Sequence, residues 1–293
     1  MNYLIVFLCA FVTSSIHAKE GPTADAALPP ASSSQLIYVP LNKIKDHSPL
    51  IIGETHGTQE VLLFLTKLIK SEQRPAESTA VLLELPADLN PLIELYLKGE
   101  SAQDALVRHP FWHRKVQDGR SSQAIVDFLE SVKVARDNGA VVEVYGYDRK
   151  RDGSQRPSQQ GLERENIMVN NVSAYLKANK ADTTFIVTGR VHAKKNFVYV
   201  GDIPSLANQL SDVHRVTSVN MVANKGSYWA CFAHPVKTFD CGVKEIQTKS
   251  ELAAQYLQGE GVYLFPKASS DFDGELYFER VQFSPPVITS QQQ

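Results

Sequence analysis

The chain has 293 residues, of which 43% are apolar, so it can bury a full hydrophobic core and is not a disordered protein. Its 30 basic and 32 acidic residues nearly cancel, which gives a formal net charge of -2. Without a basic field to attract phosphate groups, nucleic-acid binding is disfavoured, and a small-molecule or peptide substrate is the expected partner. Composition does not indicate an oligomeric state.

The first 18 residues have the layout of a secretory signal peptide. An apolar run from Leu4 to Val12 is followed by small and polar residues that end at Ala18. This run is less than half of the roughly 20 residues that a membrane-spanning helix needs, so the alternative of a retained anchor is less well supported. We expect a periplasmic or secreted protein with no stable membrane span once the signal is removed. Residues 19–35, rich in Ala, Pro and Ser, are predicted to be a flexible leader.

From residue 36 onward, short apolar runs alternate with helical patterns. The predicted strands are 49–52, 80–83, 141–145 and 184–187, and the predicted helices cover 61–69, 121–137 and about 161–178. This alternation predicts an α/β fold with a central, mainly parallel sheet flanked by helices.

The C-terminal part of the chain has a different pattern. The apolar runs 216–221, 228–232, 262–265 and 276–281 have few helices between them, which predicts an antiparallel C-terminal extension. A single domain is expected over residues 36–285, followed by a disordered tail at 286–293.

Two cysteines remain after the signal, Cys231 and Cys241, with the turn-like pair His234-Pro235 between them. In an oxidising compartment this spacing suits a disulfide across a hairpin. The alternative is a pair of free buried thiols.

Ionisable residues directly follow each of the first four predicted strands. The sequences after these strands are Gly53-Glu54-Thr55-His56-Gly57, Glu84-Leu85-Pro86, Gly146-Tyr147-Asp148 and Gly189-Arg190-Val191-His192. Ligands of open parallel sheets bind where the strands end at their carboxyl edge, so one site is predicted there. Gly53, Gly57 and Gly189 allow sharp turns and could expose backbone N–H groups to a bound anion, and we expect them, with Asp148, to bind substrate.

The two histidines at strand ends, His56 and His192, could each take a proton from water or bind a metal. The alternative for each is a structural histidine bonded to a backbone carbonyl. Glu54 and Glu84 could orient an imidazole, act as a base, or supply metal oxygens. For Glu84, the alternative is a satisfied salt bridge to Arg164.

Arg164 precedes Met168 and Val172 at four-residue intervals, so its side chain is predicted on the sheet-facing side of its helix. Because that helix follows a strand, it starts at the carboxyl edge, where Arg164 would suit a carboxylate or a developing oxyanion. Asp148 could equally cap a helix or turn. Of the remaining histidines, His109 and His113 are interpreted as a lid or surface segment, and structural roles are expected for His47, His214 and His234.

The motifs Gly-Glu-Thr-His-Gly, Leu-Glu-Leu-Pro, Tyr-Gly-Tyr-Asp, Arg-Glu-Asn-Ile-Met and Gly-Arg-Val-His occur in this order over about residues 45–200. The ordered set resembles the erythromycin esterase-like, ChaN-like and Tiki-like superfamily, whose members share an α/β fold and a paired Gly-x-x-His signature. The first and fourth motifs are most similar to the esterase branch. This resemblance implies His56 as general base, surrounded by Glu54, Glu84, Arg164 and His192.

The superfamily includes macrolide esterases, Tiki-like metal-dependent peptidases and ChaN-like haem-associated proteins of iron uptake. The resemblance therefore implies a hydrolase of an ester or amide bond. One form of this hypothesis adds a divalent metal held by His56, His192 and Glu84. The alternative that it implies is a haem-binding protein, in which a His or Tyr coordinates iron and no bond is broken.

Overall fold

The computed structural model of the chain describes residues 36–71, 77–150, 162–199, 202–235, 238–247, 253–267 and 271–288. The predicted signal peptide (1–18) and leader (19–35) lie outside these residues, as do positions 289–293 of the predicted tail. None of the helices described is both long enough and apolar enough to cross a membrane.

A nine-stranded sheet forms the centre of the described part of the chain. The strands in chain order are β1 (Ile37–Val39), β2 (Leu50–Glu54), β3 (Thr79–Pro86), β4 (Val142–Asp148), β5 (Thr183–Gly189), β6 (Val198–Tyr199), β7 (Ile203–Pro204), β8 (Thr217–His234), β9 (Thr238–Ile246), β10 (Gly261–Leu264) and β11 (Gly274–Val281). The sheet order is β1-β10-β11-β8-β2-β5-β3-β4, with β9 paired to β8 and with β6 and β7 in a separate ribbon.

The middle of the sheet is parallel, as predicted. Strand β2 pairs in parallel with β5 and β8, and β3 pairs in parallel with β5 and β4. Every residue of β3 and β5 is buried, because helices cover both faces of the sheet, and this burial explains the unbroken apolar runs. The carboxyl ends of β2, β3, β4 and β5 therefore meet at one edge, and the predicted fold class is confirmed.

Helices lie on both faces of this sheet. They are α1 (Glu60–Ile69), α2 (Asn90–Leu97), α3 (Gln103–Val107), α4 (Gln123–Asp137), α5 (Leu162–Ala178) and α6 (Leu206–Val213), with 3-10 turns at Leu41–His47, Ala87–Leu89, Pro110–His113 and Ala253–Gln255. Helices α1, α2 and α4 pack on one face and α5 and α6 on the other. Met168 and Val172 of α5 are fully buried, which is the orientation predicted for the sheet-facing side of this helix.

The C-terminal extension is present, but its first two predicted strands are parts of a single strand. Residues 217–221 and 228–232 belong to one strand, β8. Its first half pairs in parallel with β2 and β11, and its second half pairs antiparallel with β9. Gly226 joins the two halves at φ 134°, and a Cβ atom there would lie 1.9 Å from the Val281 carbonyl oxygen. The break in the apolar pattern is thus a glycine within a strand.

Strands β8 and β9 form a hairpin in which Cys231 lies directly opposite Cys241. The two residues form the predicted disulfide, with an S–S distance of 2.04 Å.

Two smaller expectations concern the end of the domain and one surface segment. Residues beyond the predicted boundary at 285 still contact the domain. Pro286 forms a β-bridge with Ser122, and the Val287 N–H donates to the Ser121 carbonyl at 3.0 Å. The segment around His109 and His113, interpreted as a lid or surface segment, exposes His113, while Phe111 and Trp112 are fully buried in the core, so the surface interpretation fits better than a lid.

Candidate active site

The carboxyl edge of the parallel strands brings the predicted site residues together. Glu54 ends β2, and the turn after it supplies His56. Glu84 lies near the end of β3, Asp148 ends β4, and His192 lies in the turn that follows β5. Arg164, on the first turn of α5, reaches the same edge and contacts Glu84, Asp148 and His192. All six of these predicted side chains therefore form one connected cluster.

The glycines at the strand ends allow this close approach. A Cβ atom on Gly189 would lie 2.8 Å from His56 Nε2, and one on Gly53 would lie 2.7 Å from the Ala193 Cβ. Gly57 has φ 79°, and a Cβ there would lie 2.2 Å from the Trp229 carbonyl oxygen. These positions have no room for a side chain, because the His56 ring, the Ala193 methyl group and the Trp229 backbone occupy the space beside Gly189, Gly53 and Gly57, respectively.

The prediction that these glycines offer their backbone to a bound anion is not supported at Gly189. Its N–H donates to Glu84 Oε2 at 2.7 Å, so the anion that it binds is a carboxylate of the protein itself. The Gly57 carbonyl accepts hydrogen bonds from the backbone N–H groups of Trp229 and Ser284. The described contacts of these two glycines are therefore structural.

Glu84 is the buried centre of the cluster, with only 5% of its side chain exposed. Oε2 accepts hydrogen bonds from Thr188 and Gly189, and Oε1 accepts them from Arg164 and from Arg120 at 3.2 Å. Burial alone would raise the pKa of Glu84, but the charges of Arg164, the two histidines and Arg120 hold it well below its usual value. The carboxylate stays ionised and fully hydrogen-bonded, so it does not act as a proton acceptor. The predicted alternative of a salt bridge to Arg164 is present.

Asp148 is fully buried and anchors two arginines. It accepts bonds from Arg164 Nε at 2.9 Å and Nη2 at 3.1 Å, and from Arg120 Nη1 at 3.3 Å. The prediction that Asp148 binds substrate is therefore corrected, because its carboxylate has no exposed surface and positions the guanidinium groups instead.

His56 is held by one carboxylate and faces another. Its Nδ1 lies 2.9 Å from Glu54 Oε1, and its Nε2 lies 3.6 Å from Glu84 Oε2. An ionised carboxylate can only accept, so Nδ1 carries the hydrogen and the neutral ring has its lone pair on Nε2. Burial alone would lower the pKa of His56, but Glu84 and the hydrogen bond from Nδ1 to Glu54 outweigh it and raise the pKa.

His192 is held on both sides. Its Nδ1 lies 2.5 Å from Glu165 Oε1 and 2.9 Å from the Tyr199 hydroxyl. Its Nε2 lies 3.1 Å from Arg164 Nη1 and 3.9 Å from Glu84 Oε1. Both ring nitrogens of His192 thus have hydrogen-bonding partners, whereas no described residue bonds to Nε2 of His56.

Arg164 is already committed to groups of the protein. Burial alone would lower its pKa, but Glu84 and Asp148 outweigh it and raise the pKa well above the usual value. Four of its five N–H groups are used by Asp148, Glu84 and His192, which leaves one N–H on Nη1 that none of these bonds uses. As far as the described contacts go, the guanidinium can therefore meet an oxyanion through one donor.

The sequence interpretation missed a second arginine and its partner on the loop before α4. Arg120 contacts Glu84 and Asp148 through Nη1 and binds Asp118 through Nε and Nη2. Burial would lower the pKa of Arg120, but Glu84 and Asp118 raise it, and the pKa of Asp118 is in turn lowered by Arg120 despite burial. Gly119, at φ 92°, allows this loop to lie against the backbone of His56 and Gly57.

The side chains predicted to bind a metal, His56, His192 and Glu84, do not form a suitable site for a divalent ion. The Arg164 guanidinium lies between His192 Nε2 and Glu84 Oε1, where a cation shared by these groups would bind, and Arg120 donates to the same glutamate oxygen. Two fixed positive charges there would repel a divalent ion. Within the described ranges, no group of three or more His, Cys, Asp or Glu side chains could hold a metal. The haem alternative remains a prediction from the resemblance.

The sequence matches no family model and no curated protein. Solved structures, by contrast, share its fold. A variant of the erythromycin esterase EreC in its open conformation matches with a TM-score of 0.60 and 11% identity, over 84% of this chain and 94% of that one. A Bacillus cereus protein matches with a TM-score of 0.56 and 11% identity, over 86% of this chain and 94% of the other. A succinoglycan biosynthesis protein matches with a TM-score of 0.52 and 10% identity, over 86% and 96%.

These structures establish the fold, and an erythromycin esterase is among them, as the sequence resemblance predicted. The shared fold extends over nearly the full length of each matched chain. At identities of 10 to 11%, the similarity is one of architecture, and the chemistry has to be argued from the side chains of this protein.

Proposed function

We propose that the protein is an exported hydrolase that uses His56 as a general base to cleave an ester or amide bond. The observation that carries this proposal is the asymmetry between the two site histidines. His56 has Nδ1 held by Glu54 and Nε2 without a hydrogen-bonding partner in the described part of the chain, whereas both nitrogens of His192 are engaged. A base needs one oriented and uncommitted nitrogen, and His56 supplies it.

In the proposed reaction, His56 Nε2 takes a proton from a water molecule as the water oxygen forms a bond to the carbonyl carbon. The carbonyl electron pair moves onto its oxygen and gives a tetrahedral oxyanion. When that intermediate collapses, the bond to the alkoxide or amine breaks, and the leaving group takes the proton from His56. The ionised Glu84, 3.6 Å from Nε2, stabilises the imidazolium that exists between these two steps.

The two arginines supply the positive charge for the oxyanion. Arg120 uses four of its five N–H groups in bonds to Asp118, Glu84 and Asp148, so within the described residues it has one N–H left, as Arg164 does, in this case on Nη2. Because both guanidiniums are fixed by buried carboxylates, they need no reorganisation when charge develops, which makes such groups effective in transition-state stabilisation.

Export to the periplasm or the medium is part of the proposal. The signal-like layout of residues 1–18 supports it, and so does the Cys231–Cys241 disulfide, since disulfides persist mainly in oxidising compartments.

The test is a hydrolysis assay on the purified mature domain, with a panel of p-nitrophenyl esters and a fluorogenic peptide library, in the presence and absence of a chelator. We expect activity that the chelator leaves unchanged and that His56→Ala lowers by about 100-fold or more. His113→Ala is the matched control, because this exposed histidine lies outside the cluster and bonds to the Val107 carbonyl. Equal turnover by the native protein and His56→Ala would overturn the proposal.

A further inference from the structure

Glu165 is a buried carboxylate next to the site. Only 4% of its side chain is exposed. Its Oε1 lies 2.5 Å from His192 Nδ1, and its Oε2 accepts the backbone N–H of Leu206 at 2.8 Å. Leu206 begins α6, and the backbone of His192 contacts the same helix, because the Ala207 N–H donates to the His192 carbonyl at 2.9 Å. The first turn of α6 therefore fixes both Glu165 and His192.

Two independent contacts define the same tautomer of His192. Glu165 Oε1 lies 2.5 Å from His192 Nδ1, and an ionised glutamate has no hydrogen to give, so the hydrogen in this close contact belongs to Nδ1. The Arg164 guanidinium is always protonated and can only donate, so His192 Nε2 must accept from it. A neutral ring with the hydrogen on Nδ1 satisfies both contacts, and the other tautomer satisfies neither.

The consequence of this tautomer reaches the centre of the site. Arg164 is bound on one side by Glu84 and Asp148 and on the other by His192 Nε2. If Nε2 carried the hydrogen, two donors would meet at 3.1 Å and the guanidinium would be displaced from its position. The placement of Arg164 thus depends on which nitrogen of His192 is protonated, and that in turn depends on Glu165.

We infer that Glu165 is a positioning residue, which acts through the tautomer of His192 to hold Arg164 against Glu84. This inference deepens the proposed function, since it explains how one of the two oxyanion-binding cations is kept in place. Tyr199 supports the arrangement. In the Nδ1–H tautomer the Tyr199 hydroxyl, 2.9 Å from Nδ1, can only accept there, and its own hydrogen can point to Glu165. Burial and the charge of Glu165 raise the pKa of this hydroxyl, so it stays protonated.

Glu165→Gln is the informative variant, because it keeps the shape and removes the second acceptor oxygen. The Leu206 N–H is a fixed backbone donor, so the single side-chain oxygen that remains after this substitution is expected to face it. The amide NH₂ then faces His192 Nδ1, which can only accept from it in the other tautomer. Glu163→Gln, two positions earlier on the exposed surface of the same helix, is the matched control.

Nitrogen-15 NMR of histidine-labelled protein, at a pH where the imidazoles are neutral, reads the tautomer without any substrate. His192→Asn assigns the signal. In the native protein and in Glu163→Gln, we expect His192 to carry its hydrogen on Nδ1. In Glu165→Gln, we expect a shift toward the Nε2–H form. A native His192 with the hydrogen on Nε2, or an unchanged tautomer in folded Glu165→Gln, would overturn the inference.

Kinetics give the second measurement. Glu165→Gln is expected to lower kcat by about 10- to 100-fold, which is typical of groups that orient a functional residue. KM should change less than kcat, because the displaced guanidinium acts mainly in the transition state. Tyr199→Phe keeps both acceptor oxygens of Glu165, so it should retain the native tautomer; a change as large as that in Glu165→Gln would contradict the role given to Glu165. Because the NMR result needs no turnover, failure of the inference is separable from failure of the proposed hydrolase.

Discussion

His56 Nε2 lies 3.6 Å from Glu84 Oε2. The candidate base therefore faces a carboxylate whose two oxygens already accept hydrogen bonds from Arg164, Arg120, Thr188 and Gly189. Glu84 cannot take the proton from His56, because Arg164 and Arg120 hold the pKa of Glu84 well below its ordinary value against the effect of burial. It can only stabilise the charge on the ring. The pair therefore sets the pH at which His56 becomes an available base.

We expect the hydrolysis rate to increase with pH and to reach half of its maximum above pH 6.5. His56 must be neutral to accept a proton, and its pKa is raised above the ordinary 6.5 because Glu84 and Glu54 outweigh the effect of burial. A pH–rate profile of kcat/KM measures this midpoint. In Glu54→Gln the midpoint should move to lower pH, because one carboxylate is lost; a midpoint that stays in place would contradict the assignment of the titrating group.

The same raised pKa predicts the sign of a stability change. A histidine whose pKa is higher in the folded state contributes stability that is complete below pH 6.5 and is lost as the pH rises through the folded-state value. The free energy of unfolding should therefore decrease from slightly acidic to mildly alkaline pH. Urea titrations of the native protein and of His56→Gln should diverge below pH 6.5 and converge above the folded-state pKa of His56.

Gly189→Ala should abolish activity while the fold is retained. The new methyl group would lie 2.8 Å from His56 Nε2 and 3.5 Å from His192 Cδ2, so the candidate base must shift to make room. We expect at least about a 100-fold loss of kcat, in line with the cost of misplacing a catalytic group by about 1 Å. Gly242→Ala is the control, because no atom lies within 4 Å of its added Cβ. Comparable loss in both variants would indicate general destabilisation.

Arg120→Ala should lower kcat by about 100- to 1,000-fold, the range found when a group that stabilises an oxyanion is removed. The substitution also leaves Asp118 without its main partner, because Arg120 donates to both of its carboxylate oxygens. Thermal unfolding separates loss of function from loss of fold. Arg108→Ala is the control, since this exposed side chain bonds to the Asp104 carbonyl of the preceding helical turn, away from the cluster. Wild-type kcat in Arg120→Ala would remove this arginine from the proposed mechanism.

Replacing both Cys231 and Cys241 by Ser should lower stability by about 2 to 3 kcal/mol, the chain-entropy value for a disulfide that closes a loop of this length. Activity should also decrease, because the hairpin that this disulfide closes contacts the site. Trp229 of that hairpin donates its backbone N–H to Gly57 and its indole N–H to the Gln117 carbonyl. Chemical unfolding with and without a reducing agent measures the effect in the native protein, and equal curves would contradict it.

Much of the site can be predicted from the sequence, because apolar runs show where the buried strands end. Glu54, Glu84, Asp148 and His192 follow apolar runs, and a parallel sheet necessarily brings such positions to one edge. Arg164 is identified by helical spacing alone. These inferences need only the spacing of the apolar residues and the direction in which the chain runs.

Of the residues that the sequence interpretation missed, all but Glu165 lack that kind of signal. Arg120 and Asp118 lie on a loop that follows no strand of the sheet, and charged residues in a loop usually face solvent. Glu165 does carry a signal, because it precedes Met168 and Val172 by three and seven positions and so lies on the buried side of α5. Tyr199, on a two-residue strand, has none.

The contacts of Trp229 also offer a way to study the protein before its substrate is known. The chain has two tryptophans, and Trp112 is fully buried in the core, whereas Trp229 is half-buried and bonded to both loops that border His56. A change in intrinsic fluorescence during a titration with candidate compounds would therefore report on the site. Trp229→Phe would remove that signal, so a library can be screened for binding by emission alone.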